Sequence, residues 1–310
     1  MELGALERSI MVLLRLPPKM RRCMKTTTAA AFVLILLTPW TILASEQPFA
    51  NLQKRLIADG LDANLVQSIY SNPKVSLELE VVAGNLVRSE ATLDYDQFLS
   101  AYSVRKAERY LDRNQRALKR VEQRFGVPQE VVVAVLMVET ALGTYPGRYM
   151  TINILSTMAA SKESHIREQI LASLTEEQRI RQSARVIAKR LTKRANRGYR
   201  ELKALINYVQ KNDIDPFTVI GSSEGAIGIP QFLPSNIEHY GRDGDGDGRI
   251  DLFNHSDAIA SVAYFLRAHH WKRARNDKEK KKVILYYNRS TYYADTVFTL
   301  AQRLNGDKSL

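Results

Sequence analysis

The 310-residue sequence predicts a mainly helical fold with at most a small sheet. Apolar residues recur at three-to-four spacing along most of the chain, the period of an amphipathic helix. Glycine (15) and proline (10) are sparse, which argues against a turn-rich β-sandwich. A single cysteine excludes a disulfide scaffold and a four-cysteine zinc site within one chain. With 45% hydrophobic and 25% charged residues the composition is globular, and the length allows a substantial core.

The N-terminus comes first. The basic stretch from Lys19 to Lys25 runs into an apolar run from Ala29 to Leu37 and then the polar Ser45-Glu46-Gln47. That order predicts a secretory signal peptide over residues 1–44, with Met20 or Met24 as an alternative start. The rival is an uncleaved helix that anchors the chain to the membrane, although the run is short for a span of about twenty residues. Cys23 precedes the apolar run and so cannot be a lipoprotein cysteine. Cleavage would remove six basic residues, two acidic residues and the only cysteine, leaving an exported basic protein.

Beyond the leader, residues 48–60 read as an amphipathic helix stopped at Gly60, and Asp62 can cap the next one before Pro73. Residues 97–124 predict one long surface helix that ends at Gly126. Pro128 suits a first helical turn, and Val131 to Val138 is apolar all round, as in a buried helix. Residues 166–210 read as two basic helices, 220–231 as glycine-punctuated irregular chain, and 257–271 and 292–304 as helices. The expected organisation is an N-terminal helical region over 45–110 and a larger domain over 111–310.

The 45 basic and 33 acidic side chains give a formal charge of +12. The surplus is concentrated between Arg179 and Lys203 and between Lys272 and Lys282. These runs are either a solvated helix face and a solvated loop, or a surface for a polyanion such as a wall polymer or lipid headgroups. No helix-turn-helix, zinc finger or aromatic RNA-binding motif is present, so nucleic acid is not an expected partner.

Four features carry chemistry. Glu139 ends the apolar helix, where desolvation would keep a carboxyl protonated near neutral pH, as a general acid requires. A structural glutamate paired with an arginine would look the same. Residues 221–236 (GSSEGAIGIPQFLPSN) either carry small side chains that admit close ligand approach, with Gln231 able to orient sugar hydroxyls, or form a mere turn. Asp243, Asp245, Asp247, Arg249 (through its carbonyl) and Asp251 fall at positions one, three, five, seven and nine of an EF-hand-like calcium loop spanning 243–254, with Gly248 at position six. Asn254 stands at position twelve, offering one neutral oxygen in place of a bidentate glutamate, and a solvated acidic turn without an ion is the alternative. Residues 286–293 (YYNRSTYY) could stack on and bond a sugar, or could be a cap at Ser290 with core tyrosines.

In this order VETALGTYPG, GSSEGAIGIPQFLPSN, DGDGDGRIDLF, DAIASVAYFLRAHHW and YNRSTYY resemble the membrane-bound lytic murein transglycosylase B family, from about Tyr95 to Leu304. The resemblance implies a lysozyme-like α+β catalytic core and cleavage of the MurNAc-β-1,4-GlcNAc bond of peptidoglycan with formation of 1,6-anhydro-MurNAc ends. It implies Glu139 as the single acid/base, Ser222, Gln231, Phe232, Tyr287 and Asn288 as substrate-binding residues, and structural Ca2+ without an organic cofactor. Peptidoglycan glycan strands are the expected partner, a monomer the expected state and the periplasm the expected location, with inner-membrane anchoring if the leader is retained. Glu224 stands where the family usually has alanine, Leu142 where an aromatic residue is common, and Tyr264 where asparagine is frequent. Glu224 leaves open a hydrolytic muramidase in which it activates water, and a non-catalytic wall-binding protein is a further alternative.

Overall fold

The computed structural model describes residues 48–87, 94–180 and 183–306, and the predicted leader lies outside them. Helix α1 (Ala50–Ala58) gives way to Gly60 at φ +92°, and Asp62 caps α2 (Ala63–Tyr70) by accepting the Leu65 N–H at 2.7 Å. α3 (Leu79–Val87) is next. The long helix expected over 97–124 is broken: a 3₁₀ turn (Asp96–Leu99) leads to α4 (Ala101–Arg113) and α5 (Gln115–Phe125). Asn114, at φ −106° and ψ 16°, leaves helical geometry between them, and its side-chain amide donates to the Tyr110 carbonyl at 3.0 Å. Such a local bond competes with the helix ladder and lets the chain turn. Gly126 ends α5 in the left-handed region at φ +66°.

The remaining elements are α6 (Gln129–Thr140), β1 (Tyr149–Met150), α7 (Thr151–Ala160), α8 (Ser164–Ala172), α9 (Glu176–Ile180), α10 (Ala184–Asn212), β2 (Ile220–Gly221), α11 (Pro234–Tyr240), α12 (His255–Ala268), α13 (Asp277–Tyr287) and α14 (Thr291–Leu304). A 3₁₀ turn over Trp271–Arg273 precedes α13. β1 and β2 pair antiparallel, Tyr149 opposite Gly221 and Met150 opposite Ile220. The lysine cluster expected to be a loop is α13 from Asp277 onward. Asn276 caps it by accepting the Glu279 N–H at 3.0 Å, and Val283 and Ile284 are buried.

The described residues from Pro48 onward form one compact unit with a continuous apolar core. α6 lies at its centre with Val131 to Met137 buried, packed by α4, α5, α12 and α14. α7 lies against α10, with α1, α3 and α8 around it. Every residue of α7 is buried, the polar Thr151, Asn153, Ser156 and Thr157 included. Partners explain most of this: the Ser156 hydroxyl meets Tyr70 Oη at 2.7 Å, Asn153 Nδ2 donates to the Lys74 carbonyl at 3.0 Å, and Thr157 Oγ1 accepts the Glu78 N–H at 3.0 Å. Buried polar groups that are satisfied cost little, so a polar-looking segment can be core.

Of the basic run on α10, Arg190, Arg194, Arg197 and Lys203 are turned into contacts with the protein, while Arg185, Lys189, Lys193 and Arg200 are exposed. Neither a purely solvated face nor a purely free cationic surface describes it. Among the described residues no helix is long and apolar enough to cross a membrane.

Candidate active site

Glu139 is the penultimate residue of α6, and the turn after it holds it in place. Ala141 and Leu142 both adopt left-handed backbone, φ +49° and +62°, and Gly143 continues at +85°. The Leu142 N–H bonds back to the Leu136 carbonyl at 3.0 Å, and buried Leu142 packs into the core. Thr140 is also buried; its hydroxyl donates to the Ile229 carbonyl at 2.8 Å and accepts the Gly143 N–H at 2.9 Å. The end of α6 is thereby tied to the glycine-rich segment around Ile229.

The Glu139 carboxyl accepts a hydrogen bond from the Tyr293 hydroxyl at 2.6 Å. Protein crowds the group and pushes its pKa up to about 7, against a smaller lowering by the Tyr293 bond. No second carboxylate contributes to that shift. A carboxyl poised there can give up a proton and take one back near neutrality. The sequence places Tyr293 in the YNRSTYY motif but does not mark it as the partner of Glu139. It lies 154 residues from Glu139, and only the folding of α14 against α6 brings the two together. Tyr293→Phe is expected to move the titration of Glu139 to higher pH, because the lost bond favoured the ionised form. Activity at neutral pH should fall about tenfold through loss of orientation. An unmoved alkaline limb of the pH–rate profile would exclude the contact.

The Tyr287 ring lies parallel to that of Tyr293, centroids 6.3 Å apart, and its hydroxyl donates to the Pro230 carbonyl at 2.5 Å. Burial first, and the nearby Glu139 second, raise both tyrosine pKa values well above ordinary phenol. Phe232 is only 2% exposed and packs on Tyr287 and Phe265, so it supports the Tyr287 ring from the core. Gln231, at φ +50°, spends its amide nitrogen on the Pro146 carbonyl at 2.8 Å and the Gly228 carbonyl at 3.0 Å. Its donor therefore pins two loops, and only its oxygen is left for a sugar. Asn288 Oδ1 accepts the Ser290 N–H at 3.1 Å, which turns its amide nitrogen into the group offered to a ligand. Ser290 itself caps α14 by accepting the Tyr293 N–H at 3.4 Å.

Ser222 Oγ accepts the N–H groups of Glu224 at 3.3 Å and Ala226 at 3.1 Å, so its own proton is the one it can donate. Gly221 permits the adjoining close approach: a Cβ there would sit 2.3 Å from the Ala226 carbonyl oxygen. Glu224 is not set to activate water. Its two oxygens are taken separately, by Arg194 Nη1 and Arg197 Nη2.

In the acidic loop, carboxylate oxygens of Asp243, Asp245 and Asp247 lie within 4.8 Å of one another, a spacing that suits one hard cation. The Gly248 and Gly246 N–H groups bond Asp243 at 2.8 and 2.6 Å and hold its carboxyl below the ordinary range. Gly246, at φ +88°, makes the turn. The Asp251 carboxylate accepts the Phe253 N–H at 2.9 Å, and the exposed Arg249 side chain reaches Asp213 at 3.3 Å. Asn254 carries a second duty: its carbonyl oxygen caps α12 through the Ser256 N–H at 2.8 Å, and its amide nitrogen donates to Asp245 at 2.7 Å. Buried Asp257, to which the loop spacing does not point, accepts the N–H groups of Gly244 at 2.8 Å and Asp251 at 2.7 Å and braces both ends of the loop.

This arrangement can be set beside known proteins. A membrane-bound lytic murein transglycosylase B from Escherichia coli (strain K12) is 28% identical over 175 residues, which cover 56% of this chain and 40% of that one. The match thus spans two-fifths of that relative's length. The fold resembles the soluble lytic transglycosylase SltB1 from Pseudomonas aeruginosa, with a TM-score of 0.66 and 21% identity over 83% of this chain and 98% of that one. It also resembles the Escherichia coli lytic transglycosylase Slt35 solved in complex with calcium, with a TM-score of 0.65 and 22% identity over 86% of this chain and 95% of that one. Residues 44–280 match the family described as the transglycosylase SLT domain, and the chain belongs to that family.

Proposed function

We propose that this protein is a lytic murein transglycosylase that cleaves the MurNAc-β-1,4-GlcNAc bond of peptidoglycan and leaves a 1,6-anhydro-MurNAc end. The observation that carries the reading is a lone crowded carboxyl, Glu139, with a pKa of about 7 and Tyr293 as its hydrogen-bond partner. Ordinary glycosidases use two carboxylates, one of them for water or for a covalent sugar. Intramolecular attack by a sugar hydroxyl requires only one.

Protonated Glu139 donates its proton to the glycosidic oxygen as the bond to C1 breaks. The ionised carboxylate then takes the proton of the MurNAc C6 hydroxyl, whose oxygen bonds to C1 and closes the anhydro ring. No water is consumed, and the carboxyl ends protonated. Tyr293 orients Glu139 throughout, while the Ser222 hydroxyl, the Gln231 oxygen and the Asn288 amide hold the sugar, with Tyr287 as the wall of the site. Asp243, Asp245, Asp247, the Arg249 carbonyl and Asp251 would hold a calcium ion. Such an ion would serve structure, by neutralising the crowded carboxylates between α11 and α12, while proton transfer rests with Glu139.

The substrate implies export to the periplasm, in keeping with the leader read over residues 1–44, and nothing in the proposed chemistry requires more than a monomer. The test is mass spectrometry of soluble products released from purified peptidoglycan by the wild-type chain. Anhydro-muropeptides are the expected result. Reducing-end products would mean hydrolysis, and no product at all would leave a wall-binding protein.

A further inference from the structure

The loop that presents Ser222 is anchored from behind by a closed ring of polar contacts. Arg194 joins Glu224 through Nη1 and the Asn85 carbonyl through Nη2, the latter at 2.7 Å. Asn85 Nδ2 donates to the Ser223 carbonyl at 2.6 Å, and the Ser223 hydroxyl donates to Asn85 Oδ1 at 3.2 Å. Ser223 is bonded covalently to Glu224, which closes the ring. Arg197 takes the second Glu224 oxygen, and Arg190 donates to the Leu86 carbonyl at 2.7 Å. Two α10 arginines thus satisfy carbonyls at the C-terminal end of α3, which the helix itself leaves open.

The loop has little slack. Ser222 Oγ accepts two backbone N–H groups from within it, the Gly225 N–H bonds the Ser222 carbonyl at 3.0 Å, and a Cβ on Gly225 would meet Leu155 Cδ2 at 2.4 Å. Moving the Glu224 end therefore moves Ser222. The Arg197 Nε is buried without a hydrogen-bond partner, so the grip of that guanidinium on the loop runs through Glu224. Glu224 and the α10 arginines are a matched set: alanine at 224 would leave two neighbouring cations facing a neutral loop.

We propose that Glu224 is a positioning residue, which with Arg194 and Arg197 fixes the Ser222 loop and so sets affinity for the glycan without entering proton transfer. The proposal rests on the reading of this cleft as a glycan-cleaving site.

Two measurements on the full chain test it. In steady-state turnover of soluble glycan fragments, Glu224→Gln is expected to raise KM about tenfold, the size of losing a hydrogen bond to a charged group. It should leave the alkaline limb of the pH profile and the anhydro product unchanged. Arg194→Gln should raise KM by less, with limb and product likewise unchanged, because Arg197 keeps its hold on Glu224. The double variant should cost less than the two singles combined, because they share the Arg194–Glu224 contact. An unchanged KM, a shifted limb or a change of product would overturn the proposal.

The second measurement does not depend on activity. The amides of Glu224, Gly225 and Ala226, all bonded to Ser222, should exchange with deuterium at least about tenfold faster in Glu224→Gln. Equal exchange would also overturn it. If the wild type releases no muropeptide, the function reading fails, yet exchange still decides whether Glu224 holds the loop.

Discussion

Glu139→Gln is expected to lower release of anhydro-muropeptides by about a thousandfold, the scale of removing a general acid and base together. The same substitution is expected to stabilise the protein at neutral and alkaline pH. Glu139 titrates at about 7 when folded, against an ordinary value of 4.5. Between those values the unfolded chain has released this proton and the folded chain still holds it. Folding stability therefore falls as pH rises from about 4.5 to about 7 and stays reduced above. The displacement corresponds to roughly 3 kcal/mol. Glutamine has nearly the same shape and no proton to lose, so it escapes this cost. Urea denaturation should show the variant and the wild type close at about pH 4.5 and separated by up to about 3 kcal/mol at about pH 8. A gap that does not grow between the two pH values would mean that Glu139 is not held protonated.

The second large effect concerns the acidic loop. A chelator is expected to lower the thermal midpoint relative to excess Ca2+, because an ion bound only to the folded chain stabilises it by mass action. At free calcium about a hundred times the dissociation constant the gain is about 2.7 kcal/mol, or several degrees for a unit of this size. The variant Asp245→Ala/Asp247→Ala should lose the calcium response. Equal wild-type midpoints with calcium and chelator would exclude an ion in this loop. Asn254, already committed to capping α12, offers no twelfth-position carboxylate, so the affinity should fall in the weak range of extracellular modules.

Periodicity and cap residues reveal much of this fold. Val131 to Val138 announces a buried helix, Asp62 a cap and Gly126 a stop, because each acts through its immediate neighbours. The break at Asn114 is hidden because α4 and α5 share one apolar period and the turn rests on a single side-chain bond. α7 escapes notice for a different reason. Its Asn153, Ser156 and Thr157 look like solvent-facing residues until Tyr70, Lys74 and Glu78 supply their partners. In the candidate site, the residue types of Glu139, Ser222 and Asn288 are legible in motifs. The role of Tyr293 is not, since a tyrosine in the first turn of a helix carries no local mark of the carboxyl it will meet. Likewise Glu224 reads as a spare carboxylate, because its arginines lie about thirty positions earlier in the chain.

The turn after Glu139 has a consequence for how this site can change. Ala141 and Leu142 occupy backbone conformations that side-chain-bearing residues disfavour by about 1–2 kcal/mol each. Glycine at 141 would relax that strain, yet it would also loosen the turn that, with Thr140 and Tyr293, holds the acid at the end of α6. Leu142 cannot be exchanged so simply, because its side chain fills the core. Variation that selects only for robustness will therefore press on the same short stretch that variation for catalysis must keep. Ala141 and Leu142 are where a lineage of such proteins would record which pressure prevailed.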